Sequence, residues 1–549
     1  MKKSLLICSL FCAIFSFGQS DLQQNYLATY GKVWGFLKYF HPTPSTQDWD
    51  KQLLSDFDSV LTCKNNSDFN FIIQGLIEPC SSFEKEHRET PDSLKQKECI
   101  DWMNSRFLSD RNKEYLIELY QFKPKFDNKY IQTTTIGNPK ISNELLYDSF
   151  QNDKSIHYLA LTRYWNVINY FFPYRHITPT DWNTVYKKHI YSFLNIRNND
   201  DYYLCIRKLA AEIKDGHGFL DASRFPKKEV RYLPFFCESV QEGVFVSLIL
   251  KDSLNSLDLK FMDEIISIDG RTIDQQWESF SKVNSESNDY GLSKATDLLR
   301  ITNKDSIFMT IKRNGQLISQ TIYSLDEKKL IDHNKTEINN YLNPDNDIKP
   351  YEFLIDSISG KEYCYINMGK LTVSDVDFKF RRKLYKNDHL IIDLRYYPNE
   401  TLGELGYTLI KEKQLIAKFT DPDFDYPGNF NWTESAYTGN GPKEFKGQIY
   451  ILVDYNTVSQ SEFTVMGLQL HPRTTVIGGQ TAGADGNHSN VPLPFGINAY
   501  FSGIGVYYPD GTPTQQVGIK RDYKIVQDKN YVEIGKDKIL EKALELIRE

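Results

Sequence analysis

The stretch from Lys446 to Asn487, KGQIYILVDYNTVSQSEFTVMGLQLHPRTTVIGGQTAGADGN, constrains the fold more than any other part of the chain. Its run Ile449 to Val453 is apolar and β-branched-rich without alternation, as in a strand buried on both faces. After a polar turn, Glu462 to Leu470 has helical composition, with Phe463, Met466, Gly467 and Leu470 on one face. Pro472 ends that helix, and Thr474 to Ile477 reads as another strand. Ser459 and Ser461 sit at the elbow of this strand–turn–helix–strand unit. A hydroxyl there lies beside unpaired backbone N–H groups and the positive end of the helix dipole, the setting that acyl transfer needs for an oxyanion. Two readings stay open from this stretch: a nucleophile, or a serine that caps the helix.

The 549 residues suggest three or four domains at ~150 residues each. A composition of 40% hydrophobic and 25% charged residues is ordinary globular material. The net charge of −7 gives no argument for nucleic acid or an anionic membrane surface. Lys2 and Lys3 precede an apolar run, Leu5 to Phe17, in the form of a secretory signal peptide cleaved near Gly18. An exported, periplasmic or extracellular protein is therefore expected, without a further membrane anchor. Cys63, Cys80, Cys99, Cys205, Cys237 and Cys364 remain after cleavage. One disulfide among the first three is allowed, but neither a disulfide framework nor a zinc cluster is indicated.

An internal repeat appears early. KVWGFLKYFHP (Lys32 to Pro42) resembles RYWNVINYFFP (Arg163 to Pro173), and Asp48-Trp49 match Asp181-Trp182. Both copies read as helical hairpins with aromatic core faces. The stretch between them, Pro79 to Ser149, is charged and irregular and reads as a link. The second copy alone ends in KLAAEIKDGHGFLD, which puts His217 on a tight turn between glycines. From Tyr232 to Tyr323 short strands take over: Ile265 to Ile268 closed by Asp-Gly, then two runs flanking Asn314-Gly315. Asp326 to Lys349 is polar and reads as a linker. Strand–helix alternation beyond it implies an α/β core, closed by an amphipathic helix over Asp537 to Arg548.

Four runs in the core stand in a telling order: IIDLRYYPN (Ile391 to Asn399), ILVDYNTVSQSEF (Ile451 to Phe463), TVIGGQTAGADG (Thr475 to Gly486) and YYPDGTPTQQVGIKRD (Tyr507 to Asp522). With the Asp-Gly-His turn before them and a region resembling a PDZ domain, they resemble the S41 family of serine peptidases. That family contains the C-terminal processing proteases and the tricorn-like proteases. The resemblance implies a multidomain α/β protein with a ClpP/crotonase-like core, a PDZ-like β domain and N-terminal helical repeat modules. The expected layout is a signal peptide over 1–18, a helical module and linker over 19–149, and a second helical module over 150–228. The PDZ-like domain follows over 229–325, a linker over 326–349 and the catalytic core over 350–549.

In the family's S-x-S-E motif the first serine is the nucleophile, which carries over to Ser459, with Ser461 in support. The processing proteases place a lysine base 25 residues later, and that position here is Ala484. The tricorn-like branch draws a histidine base from the helical region, which matches His217. Its third member, a carboxylate, falls on Gln515, able to orient an imidazole but not to neutralise it. His488 is the alternative base. The family's oxyanion donors correspond to the N–H of Gln460 and, since Pro398 has none, of Asn399. Asp393 and Arg395 read as a structural strand-end pair. The implied activity is peptide-bond hydrolysis through a Ser–His acyl-enzyme on a protein or peptide substrate, without metal or organic cofactor. The alternative is a catalytically silent binding protein, since the same core also serves a retinoid-binding relative.

Overall fold

The computed structural model describes residues 2–42, 47–80, 100–122, 128–225, 230–251, 258–342, 348–426 and 428–549; for 2–20 and 342 it describes the backbone alone. The side chains on which the signal-peptide reading rests thus lie outside the described residues. Among the described residues, no helix is long and apolar enough to cross a membrane. The chain divides into two compact units. The first comprises 1–227, 420–433 and 487–505; the second comprises 228–419, 434–486 and 506–549.

The first unit is mainly helical: α1 (Lys2–Phe40), α2 (Trp49–Thr62), α3 (Asn66–Ile77), α4 (Asp110–Phe122), α5 (Lys154–Phe171), α6 (Trp182–Leu194) and α7 (Asn199–Ala211). Side chains of Asp48 and Asp181 cap α2 and α6, and those of Asn65 and Asn198 cap α3 and α7. The Trp34 indole donates to the Trp49 carbonyl at 2.5 Å, and the Trp165 indole to that of Trp182 at 2.7 Å. Helix α5 is buried at every position from Ser155 to Phe171, so its polar residues must find partners inside. Arg163 donates to Asp50 at 3.0 Å, and Lys38 to Asp50 at 2.6 Å and Glu144 at 2.5 Å. Burial pushes the Asp50 carboxyl up, but Lys38 and Arg163 outweigh it and hold it at about 2.

Glu144 belongs to the segment expected to be an irregular link. That segment instead carries α4 and a short hairpin, Ile131–Thr133 with Pro139–Ile141. Its charges concealed order because one of them closes a buried ion network. Asn138 of the same hairpin donates to the His488 carbonyl at 3.0 Å, and so joins it to a second hairpin, His488–Leu493 with Ile497–Ser502. Cys63, Cys80, Cys205, Cys237 and Cys364 are buried free thiols, so Cys63 and Cys80 do not pair with each other; Cys99 lies outside the described residues.

The second unit begins with an antiparallel sheet whose path runs through Gln316–Tyr323, Ser306–Arg313, Glu264–Ile268, Gly243–Ile249 and Phe235–Val240. Asn314 and Gly315, at φ +49° and +81°, make the expected tight turn. The helix Ile273–Ser281 is closed by a capping box between Thr272 and Gln275. The expected linker is largely the helix Glu327–Leu342, with non-helical backbone at Asn334. Leu330 is its buried anchor, against Phe236 and Leu325. One narrow apolar stripe in so polar a segment does not stand out in composition.

The core of this unit is a six-stranded sheet in the order Tyr351–Ile355, Glu362–Asn367, His389–Asp393, Gln448–Val453, Thr474–Gly478 and Tyr523–Lys524. Only the first pair is antiparallel. Ile449, Ile451 and Val453 pack on one face with Val465 and Met466 of the helix Gln460–Leu468. Tyr450 and Leu452 pack on the other with Ile539, Ala543 and Ile547 of the helix Lys538–Arg548. Both faces are covered, which is why this strand shows no alternation in sequence.

Candidate active site

Ser459 ends the turn after the central strand and stands immediately before the helix Gln460–Leu468. Its backbone lies at φ +54°, ψ −122°, a conformation that costs a non-glycine residue roughly 1–3 kcal/mol. Its side chain makes no capping hydrogen bond, contrary to the capping reading of the sequence. The strained elbow is held from three sides. The Ser459 N–H donates to the Ala484 carbonyl at 2.9 Å, and the Ser459 carbonyl accepts from Phe463 N–H at 3.0 Å. Thr457 Oγ1 donates to the Leu394 carbonyl at 3.0 Å, which ties the elbow to the segment after the strand His389–Asp393. Gln460 is the first helical residue, so its N–H has no intrahelical acceptor.

Glu462, fully buried one turn into the helix, fixes the loop beside Ser459. Its carboxylate accepts from Thr481 Oγ1 at 2.5 Å and from the N–H groups of Gly483 and Ala484, both at 2.9 Å. Burial lifts this carboxyl to about 7 against those bonds. The neighbouring Asp485 is pushed well up, by burial first and then by Glu462, and its Oδ2 has no hydrogen-bond partner among the described residues. Burial also raises Asp454, to about 6. Ser461 is buried, and its Oγ likewise has no partner among the described residues. Ala484, on which the resemblance puts a lysine in the processing proteases, accepts the Ser459 N–H at its carbonyl.

Gln515 is buried in this same unit. Its amide donates to Ser287 Oγ at 3.4 Å, and the next residue, Gln516, donates its N–H to the Gly483 carbonyl at 2.8 Å. The exposed Asn399 secures its own segment by donating Nδ2 to the carbonyls of Gly369 and Leu371, at 3.1 and 3.0 Å. Asp393 and Arg395 form the strand-end pair: Arg395 Nε donates to Asp393 at 2.9 Å, and the guanidinium reaches Asp537, the cap of the last helix, at 2.7 Å.

His217 lies in the first unit. Its Nδ1 is 3.0 Å from Ser502 Oγ, and Ser502 Oγ donates to Asp215 Oδ1 at 2.9 Å. Asp215 also accepts the N–H of Ser502 at 2.6 Å and that of His217 at 3.0 Å. Ser502 has one hydroxyl proton and gives it to the carboxylate, so it accepts from His217 Nδ1–H. Nε2 is left with its lone pair, the tautomer a general base needs. Burial lowers the imidazole below its ordinary value; Asp215 opposes this and His488 adds to it. His488, the alternative base, is exposed at the start of the neighbouring hairpin, its ring centroid 5.9 Å from that of His217. The sequence reading missed Ser502 and gave Asp215 no part beyond membership of the Asp-Gly-His turn. Asp215 carried a signal in its Asp-Gly-His setting; Ser502, 285 positions from His217, carried none.

The family model described as Peptidase family S41 matches residues 363–525. No curated protein matches the chain in sequence. Among solved structures, mature CPAF in complex with lactacystin is similar over 72% of this chain and 98% of its own, with a TM-score of 0.56 and 12% identity. A second structure of mature CPAF gives 0.54 at 12% identity, over 72% and 97%. The photosystem II D1 C-terminal processing protease, at 0.35 and 14% over 67% and 92%, is too loose a match to carry an argument. At these identities the likeness is one of fold, a mixed helix-and-sheet multidomain architecture. The S41 match thus falls on the α/β core of the second unit, and the likeness to mature CPAF extends the similarity of fold over most of the chain.

Proposed function

We propose that the chain is an exported serine peptidase. Ser459 attacks the peptide carbonyl; His217 takes its proton at Nε2 and returns it to the leaving amine. The N–H groups of Gln460 and Asn399 receive the oxyanion. The observation that carries this reading is the strained, uncapped Ser459 at a helix N-terminus. Such a conformation persists only where the surroundings impose it, and here Glu462, Ala484 and Thr457 do so. In our reading Ser502 and Asp215 take the part assigned from sequence to Gln515, because Nδ1 of His217 is already engaged by Ser502. Burial pushes the Asp485 carboxyl well up from its ordinary value, which disfavours a negative charge next to the loop that meets the elbow. Export rests on the charged and apolar N-terminal run, and the antiparallel sheet that opens the second unit, with its helix, is read as a PDZ-like domain. The paired Trp bonds and the matching Asp and Asn caps support descent of the two helical hairpins from one duplicated unit.

The test is covalent labelling by a fluorophosphonate, with Ser459→Ala and His217→Ala as controls. The intact protein is expected to label and both variants to lose it. The second reading, a silent binding scaffold, is favoured by the loss of a lysine at Ala484; an intact protein that does not label would select it.

A further inference from the structure

The hairpin that carries Ser502 has two faces. Ala499 and Phe501 point into the unit and are buried, whereas Tyr500 and Ser502 lie on the opposite face. Across the pair, His488 stands opposite Ser502, and Asn490 opposite Tyr500. The face that clamps the candidate base therefore continues directly into an aromatic ledge. Phe219, two residues after His217, is 50% exposed and stacks on Tyr500 with ring centroids 4.3 Å apart and planes 13° apart. His488 packs edge-on to Tyr500 at 5.2 Å and lies 6.0 Å from Phe219. Its other neighbour is the His217 ring, 5.9 Å away. The Tyr500 N–H donates to the Phe219 carbonyl at 2.9 Å, so the stacked pair is fixed by backbone as well as by rings.

A rigid, solvent-facing stack of aromatic rings is a surface for flat or large apolar groups. Its position says which end of a substrate would meet it. In the proposed reaction the base returns its proton to the leaving nitrogen, so side chains beside the imidazole border the departing fragment. We infer that Phe219, Tyr500 and His488 form the binding surface for the fragment released as the amine, and that this surface selects aromatic or large aliphatic side chains. An extended chain advances about 3.4 Å per residue. The rings therefore serve the first two positions after the cut. This inference rests on the proposed peptidase function and adds to it a substrate preference that resides wholly in the first unit.

The test uses the full-length protein on a library of peptides made from a digested proteome, with the new amino termini read by mass spectrometry. Fluorophosphonate labelling of the same preparation is run alongside. Phe, Tyr, Trp and Leu are expected to be enriched several-fold at the first or second position after the cut. Phe219→Ala and Tyr500→Ala should each flatten that enrichment, read as a ratio within each digest. Phe219 is half exposed, and Phe219→Asp, with retained fluorophosphonate labelling as the check on folding, should move the preference toward Lys and Arg. A preparation that labels and cuts with no preference at either position overturns the ledge and leaves the peptidase reading standing. So does an aromatic preference that survives all three substitutions. A preparation that neither labels nor cuts overturns both.

Discussion

At the scale of single residues, the account turns on which atoms of His217 are engaged. Ser502→Ala removes the acceptor for Nδ1–H while leaving Ser459 untouched. Turnover should fall by on the order of 10²–10⁴, the usual worth of general acid–base catalysis, with KM little changed. Asp215→Asn should do comparable damage for a different reason. The amide no longer demands the Ser502 proton, and the wrong tautomer of His217 becomes available. A steady-state comparison of kcat and KM separates both from a loss of folding. The pH profile supplies a second check. His217 must be uncharged to accept a proton, and burial lowers it from its ordinary 6.5, so the acid limb of kcat/KM should be centred below pH 6.5. A limb centred above 6.5 would contradict this. Ser459 and His217 could be singled out as candidates because each lies in a short distinctive string. Ser502 was not: its meaning depends on a contact 285 positions away, and a serine in an alternating strand has no local mark of function.

At the scale of elements, burial explains both what the sequence told and what it concealed. The central strand was legible because both faces are packed, and the tight turn at Asn314-Gly315 because its positive φ angles require such residues. The helices Asp110–Phe122 and Glu327–Leu342 were hidden by charge and polarity, the first beside a segment whose Glu144 is paired inside the protein. That ion network yields a prediction. Arg163→Met leaves the buried carboxylates of Asp50 and Glu144 to share the single charge of Lys38, and should cost about 3–5 kcal/mol in the unfolding of the first unit, measured by denaturant titration. Asp50 also implies a direction with pH. Its carboxyl is held at about 2, below its ordinary 3.8, so its contribution is present above the ordinary value and is lost as the pH falls toward 2. The two tryptophan bonds behave as a pair: Trp34→Phe and Trp165→Phe each leave a buried carbonyl short of a donor, and each should cost about 1–3 kcal/mol.

At the scale of the whole molecule, the candidate nucleophile and the candidate base belong to different compact units. The base unit is built from the N-terminal helices and from a hairpin whose Ser502 lies 285 positions after His217; the nucleophile unit holds most of the stretch that matches the S41 family model. Neither unit alone contains both reactive groups. In a urea series, labelling of Ser459 should therefore disappear with whichever unit unfolds first, as followed by hydrogen exchange in each unit. The central claim is that Ser459 is a nucleophile activated by His217, and fluorophosphonate labelling tests it most directly. The account predicts a single labelled serine in the intact protein, abolished in Ser459→Ala and suppressed in His217→Ala, with peptide turnover falling by on the order of 10⁶ when the nucleophile is removed. Labelling that survives Ser459→Ala would contradict it.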